Sequence, residues 1–201
     1  LALILFWFKI SLIVLVKSSL CLYLSSSKSK FDISLPFEDK VTEQFLLDVS
    51  RFKINDILKE TNSRDIIIID MPPGTGDTQL TFVQEVKIDG AIIVSTPQDL
   101  ALLDVKRGIQ MYEKTGVKIL GLIDNMSFFK GDDGKEYKIF GEGGVEKTAK
   151  EFNKEFLGKL PLNEDLRSSA DKGEPLTYAK TDHEVSKLFK TIAESIKQSF
   201  Q

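Results

Sequence analysis

Cysteine occurs only once in the 201 residues, at Cys21, so one chain can form neither an internal disulfide framework nor a pair of thiolates. Histidine also occurs once; His183 stands where a helix should begin and reads as a surface or cap residue rather than a metal ligand. Glycine is absent from residues 1–63, although 13 occur in the whole chain, so a tight amide-lined loop cannot readily be built there. A basic excess is missing too: 27 basic against 30 acidic residues give a net charge of -3, which argues against nucleic acid as a direct ligand. No apolar run reaches the roughly 18 residues of a good membrane span, because Lys9 and Lys17 interrupt the first 24 residues. That segment also lacks a preceding basic region and an Ala-x-Ala type of cleavage site, so it is a poor signal peptide.

With 42% hydrophobic residues the chain can bury one sizeable core, and a single domain is expected. Residues 1–30 stand apart from the rest. Three readings of the apolar residues 1–24 stay open: a fragment or translation artefact ahead of a real domain, a targeting segment or membrane anchor with snorkelling lysines, or a buried strand and helix. Residues 25–30, rich in serine and lysine, read as a linker.

From residue 31 onward the texture is that of an α/β domain. Phe45, Leu46, Val49, Phe52, Ile54, Ile57 and Leu58 recur at helical spacing. Residues 66–69 are four consecutive isoleucines, as in a strand covered on both faces. A helix is predicted over 78–86, a strand over 91–95, a helix over 100–115 closed by Gly116, and a strand over 117–123. Residues 128–142 read as a loop or small excursion, followed by a helix over 145–153, a strand over 156–160 and an amphipathic helix over 184–198. The alternation predicts an α/β fold, a parallel sheet with helices on both faces.

In such sheets ligands collect at the carboxyl ends of the strands, where Asp70 falls. A carboxylate there can hold Mg²⁺ through water or polarise an attacking water. The Pro72-Pro73-Gly74 turn allows a backbone amide close to a phosphate. Asp77 is either a second polar group of the site or the N-cap of the next helix. On residue pattern alone, a tight strand-to-helix turn with an aspartate cap explains the same eight residues.

The run Asp70-Met71-Pro72-Pro73-Gly74-Thr75-Gly76-Asp77, followed by Thr78-Gln79-Leu80-Thr81, resembles the switch II signature of the Mrp/ApbC family, MinD-like P-loop ATPases that carry or insert iron–sulfur clusters. Further blocks match in order: Ser95-Thr96-Pro97-Gln98, Asn125-Met126-Ser127-Phe128-Phe129, Ile139-Phe140-Gly141-Glu142-Gly143-Gly144, and Leu157-Gly158-Lys159-Leu160-Pro161-Leu162. The resemblance covers residues 64–197 and implies a P-loop NTPase-like fold of the MinD type, with ATP and Mg²⁺ as cofactors. It implies Asp70 as the switch carboxylate near Mg²⁺ and the attacking water, Gly74 as the glycine sensing the γ-phosphate, and Pro73 beside it. Asn125 would hydrogen-bond the adenine and Pro161 and Leu162 would line the base, whereas Thr96, Pro97 and Gln98 would shape a dimer surface. Implied partners are nucleotide, apo iron–sulfur proteins and a second copy of the chain.

Two features of the family are missing. Its members carry a glycine-rich phosphate loop with a lysine and a Ser/Thr near the N-terminus, and none exists here, so ATP hydrolysis is expected to be weak or absent unless another chain supplies the loop. Many members also carry a Cys-x-x-Cys pair between the blocks at Phe129 and Ile139. This chain has Lys130-Gly131-Asp132-Asp133-Gly134-Lys135-Glu136-Tyr137-Lys138, expected to be a solvated turn. The leading expectation is an ATP-binding iron–sulfur cluster carrier or assembly factor present as a C-terminal portion. The alternatives are a MinD- or ParA-like positioning switch tethered through residues 1–24, and a noncatalytic subunit pairing with a complete paralogue. A cytoplasmic location is expected, with a mitochondrial or membrane-associated one as alternative.

Overall fold

The computed structural model describes residues 10–17, 66–71 and 77–200. The helical pattern read over residues 45–58, the linker at 25–30 and the turn at 72–76 lie outside the described residues. In chain order the elements are β1 (Ile10–Lys17), β2 (Ile66–Met71), α1 (Asp77–Glu85), β3 (Gly90–Ser95), α2 (Asp99–Thr115), β4 (Ile119–Asp124), β5 (Phe129–Lys130), β6 (Glu136–Tyr137), α3 (Gly144–Glu151), β7 (Phe156–Lys159), α4 (Glu164–Asp171), α5 (Leu176–Ala179) and α6 (Glu184–Gln198).

Five strands form one sheet in the order β2-β1-β3-β4-β7. The β3–β4 and β4–β7 pairs are parallel, while β1 is antiparallel to both β2 and β3, so β2 runs with β3, β4 and β7. The expected parallel sheet is therefore present with one reversed strand inside it. Ile10–Lys17 is that strand, and apart from Ser11 and Lys17 its residues are all apolar, as suits a central position.

Period-two alternation in β3 divides the core between the two faces, while in β4 the register shift beside Gly121 puts Leu120 and Leu122 on opposite faces. Ala91 and Ile93 of β3 join Leu122, Val105, Ile109, Tyr112, Val145 and Ala149 beneath α1, α2 and α3. Ile92 and Val94 join Leu120, Ile123, Leu166, Leu176, Val185, Phe189, Ile192 and Ile196 beneath α4, α5 and α6. Helices thus cover both faces, as the sequence pattern predicts. The 17-residue α2 ends at Gly116, whose φ of 74° lets its N–H reach the carbonyls of Glu113 and Tyr112. The helix α6 occupies the residues predicted for it, and His183 is its N-cap: Nδ1 accepts a hydrogen bond of 3.2 Å from the Val185 N–H. Asp77 is the first residue of α1, and Asp99 is the first of α2, where its carboxylate suits the helix dipole.

Residues 128–142 hold more structure than a loop. Phe129–Lys130 pairs with Glu136–Tyr137 as a two-stranded hairpin. Asp133 locks its turn, accepting from the Lys135 N–H at 3.0 Å and from the Tyr137 hydroxyl at 2.9 Å. Among the described residues no helix is long and apolar enough to cross a membrane.

Candidate functional site

Four co-directional strands deliver their carboxyl ends to one edge of the sheet, and the polar residues read from the sequence gather there. Asp70 is the fifth residue of β2, Ser95 ends β3 and Asp124 ends β4. Beyond β4 and β7 the two exit segments are stitched together. The Leu160 N–H donates to the Asp124 carbonyl at 2.8 Å, the Ser127 N–H to the Leu160 carbonyl at 2.9 Å, and the Leu162 N–H to the Phe128 carbonyl at 2.8 Å. The Ser127 hydroxyl adds a bond of 3.1 Å to the Leu160 carbonyl. Asn125 is buried, and its N–H reaches back to the Ser95 carbonyl at 2.7 Å. Asn125, Pro161 and Leu162 are thereby held in one small region.

Asp70 lies three strands away across the sheet from β4, about 14 Å at the usual interstrand spacing. Its Oδ1 is buried without a hydrogen-bond partner among the described residues, and burial pushes its carboxyl up to about 6. An orphaned carboxylate oxygen of this kind fits Mg²⁺, which is held by one or two carboxylates with the remaining positions filled by water and phosphate. No group of three or more histidine, cysteine, aspartate or glutamate side chains that could hold a metal ion occurs among the described residues. Pro73 and Gly74 lie outside the described residues.

Asp124 is a second strand-end carboxylate that the sequence reading passed over. Its side chain is 1% exposed, and its Oδ1 also lacks a partner among the described residues. Burial raises it to about 6, Lys159 at the end of β7 opposes the rise, and Glu146 of α3 adds to it. It had a signal: it follows an apolar strand as Asp70 does.

Two clefts open beside the stitched segments. One, of about 170 Å³, is lined by Asp124, Ser127, Phe128, Lys138, Gly143 and Lys159 together with the exposed Glu136 and Glu142. The other, of about 190 Å³, shares Phe128 and Glu136 with the first and is lined also by Lys130, Pro161, Glu184 and Leu188. Both are smaller than the roughly 300 Å³ at which pockets for whole drug-sized ligands begin. Pro161 thus borders a cleft, whereas Asn125 lines neither of the two.

The segment that would carry the paired cysteines is the β5–β6 hairpin, fixed by Asp133 and Tyr137, and it offers oxygen rather than sulfur donors. Cys21, the only thiol in the sequence, lies outside the described residues. The hairpin therefore does not fit an iron–sulfur cluster, whose usual ligands are thiolates.

Comparison with known proteins adds lineage to this geometry. A family profile described as ParA, NUBPL iron-transfer P-loop NTPase, matches residues 39–197. The chain is 46% identical over 134 residues to an iron–sulfur cluster carrier protein of Synechocystis, covering 66% of this chain and 38% of that protein. It is 45% identical over 133 residues to the iron–sulfur cluster transfer protein NUBPL of Dictyostelium discoideum, covering 66% and 41%. Among solved structures, the nucleotide-binding protein from Archaeoglobus fulgidus in complex with ADP matches with a TM-score of 0.54 and 37% identity, covering 65% of this chain and 54% of that one. The matched region spans about two fifths of the length of the two curated relatives.

Proposed function

Because the chain belongs to the ParA family of NUBPL-type iron-transfer P-loop NTPases, we propose that it is a nucleotide-responsive component of iron–sulfur cluster delivery of the Mrp type. Cluster and apo-protein acceptors are the cargo and partners in this reading. The observation that carries it is Asp70: the switch-like sequence begins on a half-buried carboxylate near the strand end whose Oδ1 is buried and unpartnered among the described residues.

In this reading Asp70 holds Mg²⁺ through water, and Gly74 with Pro73 brings backbone close to the terminal phosphate. Asn125, Pro161 and Leu162 receive the base at the other end of the edge, a separation that a nucleotide bridges and a single side chain does not. Bound Mg²⁺ would supply charge neutralisation at the phosphates. The sequence offers no glycine-rich loop to cradle those phosphates, so nucleotide affinity in this chain alone is expected to be low.

A second reading is a subunit that works with a loop-bearing relative, since residues 1–63 hold no glycine for such a loop. Titration of the full chain with Mg·ATP by calorimetry, alone and mixed with a loop-bearing relative, tests both. The expected result is weak binding alone that strengthens in the mixture and is lost in Asp70→Asn. Equal binding by wild type and Asp70→Asn, or none under either condition, would overturn the nucleotide role. Anaerobic transfer of a reconstituted cluster to an apo acceptor tests the delivery role; transfer no faster than from the same iron and sulfide without the chain would remove it.

A further inference from the structure

We propose that the cleft beneath the β5–β6 hairpin is a receptor for one organic cation, the guanidinium head of an arginine side chain on a partner polypeptide. The inference does not depend on nucleotide binding.

The argument rests on how the charges in the cleft are committed. Two lysines line it and both are occupied: Lys138 is paired with Glu142, and Lys159 stands 3.7 Å from Glu146. The carboxylates outnumber them. Among the described residues the exposed Glu136 makes no ion pair, and Asp124, 1% exposed, has an unpartnered Oδ1. A buried acceptor without a donor is costly, so a ligand that brings N–H groups recovers what the fold leaves unsatisfied.

The donors also select the ligand. A divalent metal needs a denser set of oxygens, and no such group occurs among the described residues. A phosphate or carboxylate would meet Asp124, Glu136 and Glu142. A monovalent N–H donor fits both the charge and the 170 Å³ volume, which suits a side chain better than a whole nucleotide. The ring of Phe128 on the wall can lie against a guanidinium plane.

Binding should follow the ionised state of Asp124, whose carboxyl titrates at about 6 with Lys159 and Glu146 as its charged neighbours. Lys138, Glu142 and Glu136 are the other titratable groups facing it from the hairpin and the α3 approach. Affinity should therefore fall as the pH drops through that value.

The test is a titration of the ¹⁵N-labelled full chain, without nucleotide, with N-acetyl-argininamide and with its neutral counterpart N-acetyl-citrullinamide. Saturable shifts of the Ser127, Phe128 and Gly143 amides are expected with the arginine probe, with affinity at least about tenfold above the citrulline probe, since a charged hydrogen bond is at stake. Asp124→Asn should abolish the difference. Glu136→Gln, an exposed change that cannot disturb the core, should weaken the arginine probe about two- to fivefold. Equal binding of the two probes, or an undiminished response in Asp124→Asn, would overturn the proposal. So would n-butylammonium bound at least as tightly as the arginine probe, which points to a free amine, or Mg²⁺ moving the same amides in competition with the probe.

Discussion

Asp70 and Asp124 make a natural pair for comparison. Each lies at the carboxyl end of an apolar strand at the same edge of the sheet, each has a buried Oδ1 without a partner among the described residues, and each is pushed up to about 6. Their surroundings differ. At Asp70 burial is the cause found among the described residues, and the neighbouring strand is the reversed β1. At Asp124 a deeper burial is partly offset by Lys159 and reinforced by Glu146, within a frame of strands that all run one way. The same titration point thus arises from desolvation in one region and from a balance of desolvation and charge in the other. An orphaned strand-end carboxylate therefore does not identify its own ligand; the charges around it do, and they separate a candidate Mg²⁺ position from a candidate receptor for an organic cation.

The largest way to break the comparison is to hollow out the support of one acid only. Leu122 lies on β4 two residues before Asp124, fully buried on the face covered by α3. Leu122→Ala should cost about 2–5 kcal/mol of stability through lost burial and cavity formation. It should also move the Asp124 carboxyl back toward the ordinary aspartate range as water gains access, while Asp70 stays near 6. Chemical denaturation and ¹³C carboxyl titration read the two effects.

Neutralising each acid gives the next largest effect, and the sign follows from linkage. A carboxyl raised in the folded state holds its proton more tightly than in the unfolded chain, so stability is greatest at low pH. It falls as pH rises from about 4 to about 6, and the full cost is present above that. For Asp124 the rise from 3.8 to about 6 corresponds to about 3 kcal/mol. The melting temperature of Asp124→Asn relative to wild type should therefore increase between pH 4 and 7 and then level off. Asp70→Asn should show the same direction and a similar span, because its carboxyl is raised to the same point. A gap that narrows with rising pH would contradict the burial argument for either residue.

Lys159→Met separates the two sites more sharply. Removing the ammonium that opposes the rise at Asp124 should lift its carboxyl further above 6 and leave Asp70 unmoved, as read by the same ¹³C titration. An unchanged Asp124 would mean that Lys159 is screened by solvent and that burial governs there too.

Much of the frame around these acids was legible from residue pattern. The four isoleucines marked β2, Gly116 marked the end of α2, and the apolar stripe of Val185, Leu188, Phe189, Ile192 and Ile196 marked α6, because burial on a fixed period leaves a periodic trace. What escaped lacks that trace. The helix α4 buries only Leu166, yet Asn163 caps it by accepting from the Leu166 N–H at 3.0 Å, with Glu164 and Asp165 in its first turn, so its signal was a cap rather than a stripe. The β5–β6 hairpin hid in a charged, glycine-containing segment because its strands are two residues each and exposed. The direction of β1 is a matter of pairing, which an apolar run does not encode. Asp124 was missed beside the more suggestive Asn125, although the rule that picked out Asp70 applied to it equally.

The smallest and most discriminating effect concerns Glu146. It is the third contributor at Asp124, raising the carboxyl, and it also stands 3.7 Å from Lys159. Glu146→Gln removes a like charge and at the same time frees the lysine to favour ionised Asp124, so both consequences lower the Asp124 titration point. The cost in stability should be small, because the Glu146–Lys150 pair is solvated. Asp70 has no part in this network and should not respond. A carbon-detected titration in which Asp124 falls while Asp70 holds would tie the difference between the two regions to charge rather than depth; a parallel fall in both would mean that the substitution loosens the whole edge of the sheet, and the distinction between the two acids would go with it.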